Sequence, residues 1–108
     1  MSEIRERPRM KLLGWKAISA SASLRGFATI ELPIGLKLID CPVMIGSQGP
    51  WAALPSKHKI GKDGLVIKGS NGKGLYEPVA EWRDRRLSDL FSASIVQLVR
   101  ERFPGALD

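Results

Sequence analysis

The feature that most limits the fold is a single amphipathic helix at the end of a chain otherwise broken into short extended runs. Leu87, Leu90, Phe91, Ile95, Leu98 and Val99 recur at the spacing of one helical face, while Arg85, Arg86, Asp89, Ser92, Gln97 and Glu101 fill the other. Asp84 stands where it can cap or electrostatically complement the helix start. Arg100 and Arg102 fall in the last turn, and Pro104-Gly105 stops it. An apolar stripe on one helix must be covered, and everything before it reads as strand, so the cover is a sheet.

The strands follow from β-branched and aromatic runs cut by Pro and Gly. Residues 10–20, with Leu12, Leu13, Trp15, Ala17 and Ile18, suit a first strand with an irregularity at Gly14. Ser19-Ala20-Ser21-Ala22-Ser23 suits a turn or strand end. Phe27-Ala28-Thr29-Ile30-Glu31-Leu32 is a second strand, ended by Pro33 and Gly35. Residues 36–45 form a third, in which Pro42 lacks an N–H and therefore predicts an edge strand or a bulge at that position. A turn at residues 46–50 leads to a fourth strand, Trp51-Ala52-Ala53-Leu54, with Trp51 read as core. Leu65-Val66-Ile67 and Tyr76 to Pro78 are weaker extended pieces. The fold class is α+β: a small antiparallel β-sheet of four to five strands with a C-terminal helix packed on it, Leu87, Leu90, Phe91 and Leu98 meeting Ile30 and Leu38. Residues 1–9 read as a flexible N-terminal tail, 10–103 as a single domain and 104–108 as a C-terminal tail. No internal repeat is visible.

Charge is concentrated where the apolar fourth strand gives way to Leu54-Pro55-Ser56-Lys57-His58-Lys59. Residues 56–74 carry Lys57, Lys59, Lys62, Lys68 and Lys73 against Asp63 alone, which is +4 of the chain's formal +6. Five glycines in the same segment predict a mobile cationic loop. Such a loop suits a polyanion, of which nucleic acid is the commonest, followed by acidic membrane surfaces and acidic proteins. Lys57, His58, Lys59, Lys62, Lys68 and Lys73 are accordingly candidate nucleic-acid-binding residues, with Lys62 and Lys73 expected to contribute less because their glycine neighbours must be ordered on binding. Arg83, Arg85 and Arg86 gather at the helix start, where the backbone is already electropositive. They read either as a second phosphate cradle or as a set of local ion pairs on a solvated face, with Asp84 and Glu81 offsetting part of the charge.

Other motifs count against alternatives. Gly69-Ser70-Asn71-Gly72-Lys73-Gly74 is not a phosphate-binding P-loop, because no Ser or Thr follows Lys73 and no helix comes next. It reads as a hairpin tip. Trp82, among charges, is a candidate for base stacking or a cap on the core edge. Cys41 is the only cysteine and His58 the only histidine, so no disulfide and no His/Cys zinc site is expected. Cys41 reads as buried strand. Asp40, Asp63, Asp84 and Asp89 show no paired-carboxylate spacing, no catalytic constellation is evident, and neither an enzyme nor a cofactor is expected. No apolar run approaches the roughly 20 residues that span a bilayer, and no signal-peptide core follows the charged N-terminus, so no membrane association and a cytoplasmic location are expected.

The stretch 27–57 resembles the SpoVG family (stage V sporulation protein G, a septation regulator). The matching pieces are Leu38-Ile39-Asp40, Gly46-Ser47-Gln48-Gly49 and Trp51-Ala52-Ala53-Leu54-Pro55-Ser56-Lys57, then Glu77-Pro78-Val79 before the terminal helix. The likeness covers residues 10–102. It implies a small homodimeric domain that binds DNA, and in some members RNA, as a regulator. The chain departs from the family at His58, where Arg is usual, in the longer and glycine-richer segment 61–74, and at Trp82-Arg83-Asp84-Arg85-Arg86, where the family carries an Arg-Gly-Lys-like triplet. The expected function is therefore a nucleic-acid-binding regulator that engages mainly backbone phosphates and dimerises through its sheet. The alternative is a protein-interaction module whose basic loop docks an acidic partner.

Overall fold

A computed structural model describes residues 9–18 and 23–107. The chain runs β1 (Lys11–Ala17), β2 (Leu24–Glu31), β3 (Lys37–Gly46), β4 (Gly49–Ala52), β5 (Ser56–His58), β6 (Tyr76–Pro78) and α1 (Arg85–Arg102). The first four strands form one antiparallel sheet in chain order, β5 and β6 form a separate pair, and α1 packs on one face of the larger sheet. The fold is thus α+β, as the single apolar helical stripe requires. Residues 1–8 and 19–22, with most of the expected N-terminal tail and first turn, lie outside the described residues.

Alternation along the strands builds the core. Leu12, Ala28, Ile30, Cys41, Val43 and Ala52 point to the helix and are buried. The helix answers with Phe91, Ile95, Val96 and Val99. Leu90 belongs to the apolar stripe by spacing, yet it is 53% exposed, because Phe91 one residue on occupies the centre of the contact. Leu87 and Leu98 are only partly buried. Trp51, expected in the core, is 43% exposed: Ala52 takes the inward position of that short strand, so its neighbour must face away. Leu107 is buried, so the residues read as a C-terminal tail return to the core through a turn at Gly105.

Three register shifts shape the sheet, one of them between Leu24 and Gly26 of β2, opposite Met44 and Val43. The register of β1 against β2 shifts between Leu12 and Gly14, at the expected position. Beside it the Leu12 carbonyl accepts a 2.6 Å hydrogen bond from the Arg102 guanidinium, which ties the helix end to β1. The register of β2 against β3 shifts between Ala28 and Ile30, where Asp40 adopts φ 58°. Its N–H is satisfied by Thr29 Oγ1 at 3.2 Å, and its carboxylate meets Lys16 Nζ at 3.2 Å. The bulge is therefore at Asp40, not at Pro42, and β3 is central, not an edge. Pro42 is tolerated because its carbonyl, and hence its missing N–H, faces β4: Ala53 N–H donates to Pro42 O at 3.1 Å, and β4 ends at Ala52.

Helix α1 begins where expected. Asp84 is its N-cap, with Oδ1 accepting from Leu87 N–H at 3.0 Å. Asp84→Ala should destabilise the protein by about 1 kcal/mol, read as a shift of the denaturant midpoint at constant slope. Cys41 is fully buried, and its thiol is pushed up from 9.0 to about 11, first by burial and then by the Asp40 carboxylate. A folded value above the unfolded one favours the native state fully below 9.0, and this contribution is lost as pH rises toward about 11. Cys41→Ala should therefore flatten the fall of unfolding free energy across that window. Native Cys41 should also resist alkylation in mildly alkaline buffer until the protein is unfolded.

Candidate nucleic-acid interface

Residues 56–78 are not a loose loop. They form an arm in which three hairpins meet. Ser56, Lys57 and His58 pair with Pro78, Glu77 and Tyr76 to make the stem. Two smaller hairpins follow, bridged at Ile60–Val66 and Lys68–Gly74. All three join at a closed ring of backbone hydrogen bonds: Lys59 N–H to Leu75 O (2.7 Å), Leu75 N–H to Ile67 O (2.9 Å) and Ile67 N–H to Lys59 O (2.8 Å).

The two small hairpins repeat one another at a spacing of eight residues. Gly61 and Gly69 donate to Leu65 O and Lys73 O at 2.9 and 2.8 Å, and Gly64 and Gly72 donate to Gly61 O and Gly69 O at 3.0 Å each. Asp63 Oδ1 and Asn71 Oδ1 accept from Leu65 N–H and Lys73 N–H, each at 3.0 Å. Gly64 and Gly72 stand at φ 79° and 80°, the left-handed position that closes a tight turn with a bulge. The internal repeat is thus Gly-X-Asx-Gly, visible in the sequence once the spacing of eight is tried. The expected hairpin at 69–74 is present, and Leu65-Val66-Ile67 is extended as anticipated.

The structure separates the candidate cations. Lys57 lies opposite Glu77 and pairs with it at 3.4 Å. Arg83 pairs with Asp84 at 3.4 Å and Arg85 with Asp89 at 3.7 Å, so local ion pairing describes these two arginines. Among the described residues Lys59, Lys62, Lys68, Lys73 and Arg86 meet no carboxylate within 4 Å. No residue between 53 and 90 is buried in the core, so the arm is free of a structural duty there.

Between the β3–β4 turn, the stem and the start of α1 lies an open groove of about 1090 Å³. Glu77, Glu81, Asp84 and Asp89 line it against Arg85 alone. The lining of the groove is thus net acidic, in contrast to the lysine-bearing arm. Trp82 spans the groove and the core: its ring centroid is 5.1 Å from that of Phe91, which makes it a cap on the core edge and not a free stacking platform. His58, read only as one basic-loop residue, stacks on Tyr76 with centroids 4.4 Å apart. No helix among the described residues is long and apolar enough to cross a membrane.

No protein-family model matches the chain, and no curated protein matches it significantly. The likeness to SpoVG therefore rests on the residues quoted above.

Proposed function

We propose that the protein is a nucleic-acid-binding regulator of the SpoVG type, acting as a cytoplasmic homodimer and gripping backbone phosphates with its arm. The observation that carries this is the set of four lysines, Lys59, Lys62, Lys68 and Lys73, with no carboxylate partner among the described residues, on a backbone-bonded arm that adds nothing to the core. Lysine acts as a point charge toward phosphate, and a preformed arm spends little entropy on ordering when it binds. Mobility shifts with duplex DNA, single-stranded DNA and RNA at two salt concentrations test it. Log affinity should fall linearly with log salt. Absence of affinity for all three at low salt rejects the proposal.

Dimerisation is supported by the sheet face turned away from α1, where Ile39 and Trp51 are exposed, and by the edge position of β1, which pairs only with β2 among the described residues. Sedimentation at micromolar concentration should give about twice 11.9 kDa. A single species at the monomer mass removes this part. The exposed aliphatic chains of the arm, Leu65 above all at 68%, favour the second reading, a module that docks an acidic protein partner. Binding to such a partner without any affinity for nucleic acid would select it.

A further inference from the structure

Strand alternation gives the arm two unlike faces. Directly opposed residues of antiparallel strands project to the same side. His58 and Tyr76, Ile60 and Val66, and Lys68 and Gly74 are such pairs, and they share one face by alternation along the stem and the two small hairpins. Side-chain positions agree: a Cβ on Gly74 would lie 2.9 Å from His58 Nδ1 and 3.1 Å from Val66 Cγ1. A side chain at that point would crowd the imidazole and Val66, so a glycine lets both approach the backbone closely. Lys57, Lys59 and Glu77 alternate to the other face.

This face therefore holds two stacked rings, tilted by 30°, with Tyr76 62% exposed, an aliphatic margin and one lysine. It bears no acid. Glu77 is on the far side with Lys57, and the Asp63 carboxylate is turned back onto Leu65 N–H. An exposed aromatic surface beside a lysine with no carboxylate partner among the described residues has the chemistry that receives an unstacked base and its phosphate. A duplex offers phosphates but keeps its base faces stacked.

We propose that the His58–Tyr76 face is a stacking platform for an unpaired base of single-stranded nucleic acid, with Lys68 toward the adjoining phosphate. The proposal rests on the nucleic-acid function proposed above and adds strand preference to it. The test compares wild type, Tyr76→Leu and Tyr76→Phe, binding short oligothymidylate, oligouridylate, an abasic strand of equal charge, and a duplex. Tyr76→Leu should weaken both single strands by about ten-fold or more and leave the duplex unchanged, whereas Tyr76→Phe, which retains the ring, should bind as wild type. The abasic strand should bind wild type as weakly as the single strands bind Tyr76→Leu. A loss for only one of oligothymidylate and oligouridylate assigns the platform to that nucleic acid. Equal affinity for abasic and base-bearing strands, or an equal loss in Tyr76→Phe, overturns the platform while phosphate binding stands. Undiminished single-strand affinity in Tyr76→Leu does the same. If wild type binds neither single strand nor duplex, the proposed function falls and the platform with it. Because no arm residue is buried in the core, unchanged thermal unfolding in both variants is the expected control.

Discussion

Replacing Phe91 with alanine should lower the free energy of unfolding by about 3–5 kcal/mol. The ring is 4% exposed, packs against Trp82, and sits among Ile95, Val99 and the inward side chains of the sheet. Truncation removes its transfer free energy and leaves a cavity that a four-stranded sheet and one helix cannot close. Domains of this size have total stabilities of about 5–15 kcal/mol, so the variant should retain a fraction of the native margin. The comparison that gives the number its meaning is Leu90→Ala, one residue away. That side chain is largely exposed and should cost less than about 1 kcal/mol. Denaturant titration of both variants decides the matter. A loss under about 1 kcal/mol for Phe91→Ala would place the core elsewhere on the helix.

Changing Lys59, Lys62, Lys68 and Lys73 together to Gln should reduce the salt slope of nucleic-acid binding by roughly one unit per phosphate contact, about four in all. Affinity should fall alike for every sequence, since point charges on phosphates carry no base information. The four Lys→Arg replacements should preserve most of the binding. Glycine neighbours suggested a weaker part for Lys62 and Lys73, but the turn hydrogen bonds at Gly64, Gly72, Asp63 and Asn71 already fix the backbone there. The loss should therefore be shared among the four. Lys57→Gln should matter less, because Glu77 already meets that ammonium. If slope and affinity both survive the quadruple change, the phosphate surface is not the arm, and docking of an acidic protein becomes the better account.

Where the sequence was legible, one physical signal dominated. The helix, its Asp84 cap and its stop were readable because period, cap and breaker agree. The four strands were readable because Pro and Gly separate apolar runs, and the bulge near Gly14 came with them. Trp51 and Leu90 were misread for one reason: type and periodicity mark a residue as able to be buried, but the neighbour that occupies the centre of a contact is a tertiary fact. Pro42 in a central strand depended on which side its absent N–H faces and on where β4 stops. The arm was hardest. Its composition is that of a solvated loop, and only long-range backbone bonds among Lys59, Ile67 and Leu75 reveal the junction. Charge alone likewise could not separate lysines that have carboxylate neighbours from those that do not.

The spacing of eight has a consequence for how the arm can change length. Excising residues 60–67 would join Lys59 directly to Lys68. The pairing of His58 with Tyr76, the contact of Lys59 with Leu75 and the bridge of Lys68 to Gly74 would then fall in one uninterrupted register. What remains is a plain hairpin closed by the same Gly-X-Asx-Gly turn. The arm is therefore equivalent in register to a simple ribbon carrying one additional octad, whose presence leaves the stem pairing unchanged. Loss or duplication of that octad would change the reach of the arm by a fixed length at constant net charge, since Lys62 and Asp63 cancel, and without disturbing the sheet.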